Sequence, residues 1–142
     1  MMKSYHVTKK INELCNVIIS KHLSKIECLL GINAKVEILE KVKSEHFNIG
    51  KSRNIEGVIC SREEIITIYP QNIYFNHCGL LPEPFKWAVF EENVVRVLSH
   101  ELRHLWQIKN NLFYKDNAEL DADEFANEYQ LIKEKNNECR NY

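Results

Sequence analysis

Residues His100, Glu101 and His104 carry the densest chemistry in the sequence, in the order H-E-x-x-H. On a helix, a spacing of four sets both imidazoles one above the other on one face, close enough to grip one small cation, most often zinc. Glu101 then stands beside the open coordination position of that cation, where a carboxylate can take a proton from a water and deliver it to a leaving amine. A plainer reading competes: two histidines on an ordinary helix, with Glu101 paired to a neighbouring Lys or Arg.

The flanks favour a helix under the motif. From Phe85 to Asn110 there is no Gly, and Pro82 and Pro84 stand at the start, where Pro suits a first helical turn. Trp87, Phe90, Val94, Leu98, Leu105 and Ile108 recur at helical spacing and form one apolar stripe. At about 100° per residue, Glu101 falls inside that stripe, with His100 and His104 together on its flank. A carboxylate aimed at a core needs a partner, because burying it alone costs several kcal/mol or forces it to protonate.

A catalytic zinc asks for a third protein ligand. His104 is the last histidine, so the third ligand is acidic or comes from upstream. Residues 117–126 offer acids on a second expected helix, whose stripe is Ala118, Ala122, Phe125, Tyr129 and Ile132. Glu119 and Asp123, four apart, share the adjoining face, and either can be the donor. Asp116 to Glu119 also reads as an N-cap with the acid of a capping box, a role that touches no metal.

On these residues the chain resembles the gluzincins, zinc metallopeptidases with H-E-x-x-H on one helix and E-x-x-A-D on the next. Both patterns are met, by His100, Glu101 and His104 and then by Glu119, Ala122 and Asp123. The resemblance implies Zn2+ as cofactor, Glu119 as third ligand, Glu101 as the catalytic group and Asp123 as the residue that orients a ligating His. It implies that Ala122 lets the two helices approach. The order of elements is similar to the minimal zincin core, including compact members such as the ImmA/IrrE group. The fold expected is therefore α+β and zincin-like: an N-terminal helix, a small mixed β-sheet with an edge strand, the H-E-x-x-H helix and a C-terminal glutamate helix, in one domain over 1–142. The implied activity is hydrolysis of peptide bonds in a cytosolic protein or peptide substrate. The alternative is a zincin-fold regulatory or binding module without independent proteolytic activity.

Upstream, Thr8 to Leu30 is expected as a helix on the stripe Ile11, Leu14, Cys15, Ile18, His22, Ile26 and Leu29, ended by Gly31. His22 reads as a hydrogen-bonded core residue. Strands are expected over 33–42, 57–60 and 64–69, and 43–56 reads as a loop. The third strand stops at Pro70, which favours an edge or a strand end. In zincins an edge strand lies over the active-site helix and pairs with the substrate backbone. Residues 72–76 are expected as a further strand or an extended arm. Tyr74, His77 and Tyr114 are candidates to donate to an oxyanion. After Ile132 the periodicity fades and the tail is expected to fray.

The 142 residues suffice for one core but not two. With 19 Lys and Arg against 20 Asp and Glu, no strongly basic field argues for nucleic acid. The polar start and the lack of any long apolar run argue against export and membrane insertion. Five cysteines, without a C-x-x-C pair, fit free thiols in a cytoplasmic setting. Cys15 reads as packing in the core, and His77-Cys78 is the other place where two soft ligands adjoin.

Overall fold

The structure is a computed structural model that describes residues 2–46 and 54–140, the side chains of residues 2–5 and 134–140 excepted. It is an α+β protein of four helices and a three-stranded mixed sheet. Helix α1 runs over Met2–Leu30, starting a turn and a half before the expected Thr8. Ile11, Cys15, Ile18, Ile26 and Leu30 are buried along it, whereas Leu29, expected in that stripe, is 51% exposed. Gly31 stops the helix at φ +67°, a conformation that a side chain would strain, and the amide of Ile32 bonds back to the carbonyl of Glu27 at 3.1 Å.

The strands are β1 (Lys35–Ile38), β2 (Gly57–Cys60) and β3 (Ile65–Ile68), in the spatial order β1-β3-β2. β1 is parallel to β3 and β2 antiparallel to it. The strand before Pro70 is thus central, so of the edge and the strand end expected there the strand end holds and the edge is corrected. Pro70 follows the last paired residue, Ile68, and opens the next helix, so its missing N–H costs the ladder nothing. β2, the antiparallel flank, is the edge strand on the side of the site. Of the loop expected over 43–56, Ser44–His46 forms a 3-10 turn whose His46 ring meets the Tyr69 hydroxyl at 2.5 Å. Residues 47–53 of that loop lie outside the described residues.

Residues 72–76 are neither strand nor extended arm but part of helix α2, Pro70–His77. Pro70 supplies a pre-set first turn, and Ile73 and Tyr74 turn into the core. Helix α3 spans Phe85–Lys109 and closes at Asn110, with Asn111 at φ +59°. Its stripe is as expected at Phe90, Val94, Leu98 and Leu105, each fully buried, with Val95 and Leu102 beside them. Helix α4 is Ala118–Arg140. Residues past Ile132 stay helical, as a Lys- and Glu-rich stretch can through propensity alone.

One buried cluster joins α1, the sheet, α2, α3 and α4. α4 lies on α3 through Ala118, Ala122, Ala126 and Tyr129, all buried, while Ile132 is 39% exposed and outside the stripe expected of it. Small side chains at successive turns bring the two helix axes close, and a larger residue at Ala122 would push them apart. His22 is buried as expected, its Nδ1 2.8 Å from the Tyr129 hydroxyl, which ties α1 to α4. No helix among the described residues is long and apolar enough to cross a membrane.

Candidate metal centre

The site lies where α3, α4 and β2 meet. The helical period turns Glu101 inward with Leu98 and Leu105, so that it is only 8% exposed, and places His100 and His104 on the side that faces α4. The two imidazole centroids are 4.6 Å apart and nearly perpendicular. α4 begins at Ala118, and its first turn carries Glu119 across to the histidines. One Glu119 oxygen lies 3.2 Å from Nε2 of His100 and the other 2.9 Å from Nε2 of His104. The carboxylate is therefore directed at the imidazoles and not at its own helix start. Among the described residues, His100, His104 and Glu119 form the one group of three candidate ligands, their donor atoms within 4.8 Å of one another.

The other nitrogen of each ring is held from behind. Nδ1 of His100 lies 2.9 Å from Oδ1 of Asp123, the partner expected of it. Nδ1 of His104 lies 2.8 Å from Oε1 of Gln107. The Gln107 amide nitrogen donates to the carbonyl of Ala118 and to Oδ2 of Asp121, both at 2.8 Å. Asp121 in turn accepts from Nε and Nη2 of Arg103, at 2.7 and 3.1 Å. Arg103, lying 3.7 Å over the Trp106 ring, keeps the Asp121 carboxyl below its ordinary value, with burial opposing. Gln107, Asp121 and Arg103 carry no motif signal. The one clue in the sequence is that Gln107 stands three residues after a candidate ligand, on the same helical face.

These ring contacts constrain the chemistry. The Gln107 amide has both hydrogens spent on acceptors, so its oxygen faces His104 and Nδ1 must carry the hydrogen. A neutral His104 then turns the lone pair of Nε2 toward a carboxylate oxygen at 2.9 Å, a repulsive contact unless a positive charge lies between them. His100 has a carboxylate against each nitrogen and can donate to only one while neutral. Protonation is disfavoured there, since burial and then His104 lower its pKa against the pull of Glu119 and Asp123. A cation on the two Nε2 atoms and Glu119 relieves both conflicts. Bonds of about 2.0–2.2 Å in a tetrahedron separate its ligands by about 3.3 Å; the two Nε2 atoms lie 3.2 and 2.9 Å from the carboxylate, and one donor atom from each residue falls within 4.8 Å of the others.

Glu101 closes the back of the site. Burial, with the Glu119 charge in support, pushes its carboxyl up to about 8. The roof is β2: a Cβ on Gly57 would lie 2.5 Å from Cγ1 of Val97 and 3.4 Å from Cγ of Glu101, so glycine lets the strand rest directly on α3. The cleft has two lobes that share Gly57, His100 and Glu101. One, of about 380 Å³, is walled by Ile55, Ile59 and Phe113. The other, of about 200 Å³, is bounded by Glu56, Arg96 and Asp123. Glu56 is clamped by Asn76 at 2.9 Å, His77 at 2.6 Å and Arg96 at 2.7 Å, which fixes the start of β2 to α2 and α3. Burial raises its carboxyl, but the bonds from Asn76 and Arg96 and the His77 and Arg96 charges outweigh it.

Of the three candidate oxyanion donors, Tyr74 and His77 are engaged with other groups. Tyr74 stacks on Trp87, four turns before the motif. His77 holds Glu56. Tyr114 is 86% exposed, its ring against Phe113, which itself meets His104 edge-on at 5.2 Å. Cys78 is fully buried while His77 turns to Glu56, so these neighbours point apart.

Comparison with protein-family models, with curated proteins and with solved structures finds no match to the chain.

Proposed function

We propose that the chain is a zinc-dependent metallopeptidase of the gluzincin type, built on a minimal zincin-like fold and acting on a protein or peptide. One observation carries the reading: two Nε2 atoms and a carboxylate from the next helix lie within 4.8 Å of one another, with the buried Glu101 lining the same cleft. His100, His104 and Glu119 would hold the ion, and Asp123 and Gln107 keep both rings turned toward it. When bound, zinc supplies a Lewis acid to polarise a peptide carbonyl and lets a water ionise near neutral pH.

Glu101 performs the proton transfers. Its carboxylate, turned inward beside the ion's ligands, accepts one from the attacking water and returns it to the departing amine nitrogen. β2 pairs with β3 on one side, and its main chain on the other side can align an extended peptide across the cleft. Ile55, Ile59 and Phe113 give one lobe apolar walls, beside which charges interact more strongly than in open water. The free thiols Cys15, Cys28, Cys60 and Cys78 fit a reducing cytosol as the setting.

A second reading, a zincin-fold binding module that holds the ion without cutting, is favoured by Tyr74, stacked on Trp87, and by His77, spent on Glu56, neither of which is turned to an oxyanion. Glu101→Gln separates the two. Under the peptidase reading it retains zinc and loses about 10²-fold or more of the hydrolysis of a peptide library, whereas Glu119→Ala loses the zinc. Equal cleavage by the native and Glu101→Gln chains refutes the catalytic role. A native chain that binds zinc and cleaves nothing leaves the binding module.

A further inference from the structure

We infer that Gln107 is the positioning residue of the site: it sets which nitrogen of His104 is free for an ion, and it locks the first turn of α4, with Glu119, against that imidazole. The inference rests on the metal reading above, but its geometry stands independently. Gln107 is 1% exposed and makes three bonds through one amide. Its two hydrogens meet a carbonyl and a carboxylate, groups that only accept, so the amide cannot be reversed without opposing lone pairs at 2.8 Å. Its oxygen is thereby fixed toward His104, the Nδ1–H form is selected, and the lone pair is left on Nε2.

The same amide ties two helices together. Ala118 begins α4, Asp121 is in its first turn, and Glu119 lies between them. Anchoring the residues on both sides of Glu119 to α3 fixes where that carboxylate stands, although its own side chain is 76% exposed. Arg103 completes the clamp from α3 through its paired bonds to Asp121. A glutamine here thus sets the register between a ligand on one helix and two ligands on the other.

The test uses the full chain labelled with 15N in histidine. In the metal-free Glu119→Ala chain no carboxylate faces Nε2, and the ring 15N shifts of neutral His104 should report a proton on Nδ1. Adding Gln107→Met, which keeps length but no polar atom, should return His104 to the Nε2–H form usual for a free imidazole. By chelator competition, Gln107→Met alone should bind Zn2+ about 10- to 100-fold more weakly than the native chain. A predominant Nε2–H form in the Glu119→Ala chain overturns the inference, and so does a Gln107→Met chain that binds Zn2+ as tightly as the native one. The first measurement decides even if Gln107→Met fails to fold. Absence of Zn2+ binding by the native chain overturns the metal reading, while the ring shifts still decide the role of Gln107.

Discussion

Replacing Glu101 by Gln should stabilise the metal-free chain, and more so as the pH rises. Burial pushes the Glu101 carboxyl from the ordinary 4.5 up to about 8. Unfolding returns it to water, so between these values the folded chain holds a proton that the unfolded chain has released. Stability therefore falls as the pH rises through that window. At about 1.36 kcal/mol per pH unit, the loss is below about 1 kcal/mol at pH 5, about 3 kcal/mol at pH 7 and approaches ~5 kcal/mol above pH 8. Gln keeps the shape of a protonated Glu and never ionises. Urea denaturation of the native and Glu101→Gln chains with excess chelator, at about pH 5, 7 and 8.5, measures the difference directly. The gap should be small at the lowest pH and reach several kcal/mol at the highest. A variant no more stable than the native chain at pH 8.5, or a gap that does not change with pH, refutes the argument that an ionisable carboxyl is kept dry there.

Two further outcomes follow from bonds on either side of the site. Asp123→Ala removes the acceptor on Nδ1 of His100 and should weaken Zn2+ binding about 10-fold or more in chelator competition, while Asp123→Asn, which keeps an acceptor oxygen, should lose less. Tyr129→Phe takes the hydroxyl from His22, whose Nε2 already has no hydrogen-bond partner, and should cost about 1–3 kcal/mol in urea denaturation. Burial, then the positive charges of Lys133, Lys25 and Lys21, lower His22 to about 4. The unfolded chain therefore gains a proton first as the pH falls below about 6.5, and the native chain should lose stability between there and pH 4.

The parts legible in the sequence are those set by local period. A helix writes its buried face every three or four residues, so α3 and α4 were readable from Phe90 to Leu105 and from Ala118 to Tyr129, and with them the placement of His100, His104 and Glu119. Strand order is written nowhere locally. The run before Pro70 could as well have been an edge as the centre of the sheet, and only pairing with both Lys35–Ile38 and Gly57–Cys60 decides it. The run from Pro70 to His77 carries Ile73, Tyr74 and Phe75 in succession, residues that suit strands, yet the fixed φ of Pro70 and burial of Ile73 and Tyr74 make it a helix. Gln107 was illegible because an uncharged polar residue on a helix usually meets solvent. Its burial depends on Ala118 and Asp121, which are brought to it only when α4 folds back. Leu29 lies at the last turn of α1 and Ile132 beyond the part of α4 that is buried, and both remain exposed.

The hydrogen atom that Gly57 carries in place of a side chain acts as a spacer between sheet and helix. A methyl group would meet Cγ1 of Val97 at 2.5 Å, where carbons rest at about 3.5–4.0 Å, so the strand would have to rise by ~1 Å. The first space to open would be over Cγ of Glu101, and solvent admitted there would relax the carboxyl back toward its ordinary acidity. How readily Glu101 holds its proton is thus governed from the opposite wall, by a residue that has nothing to titrate.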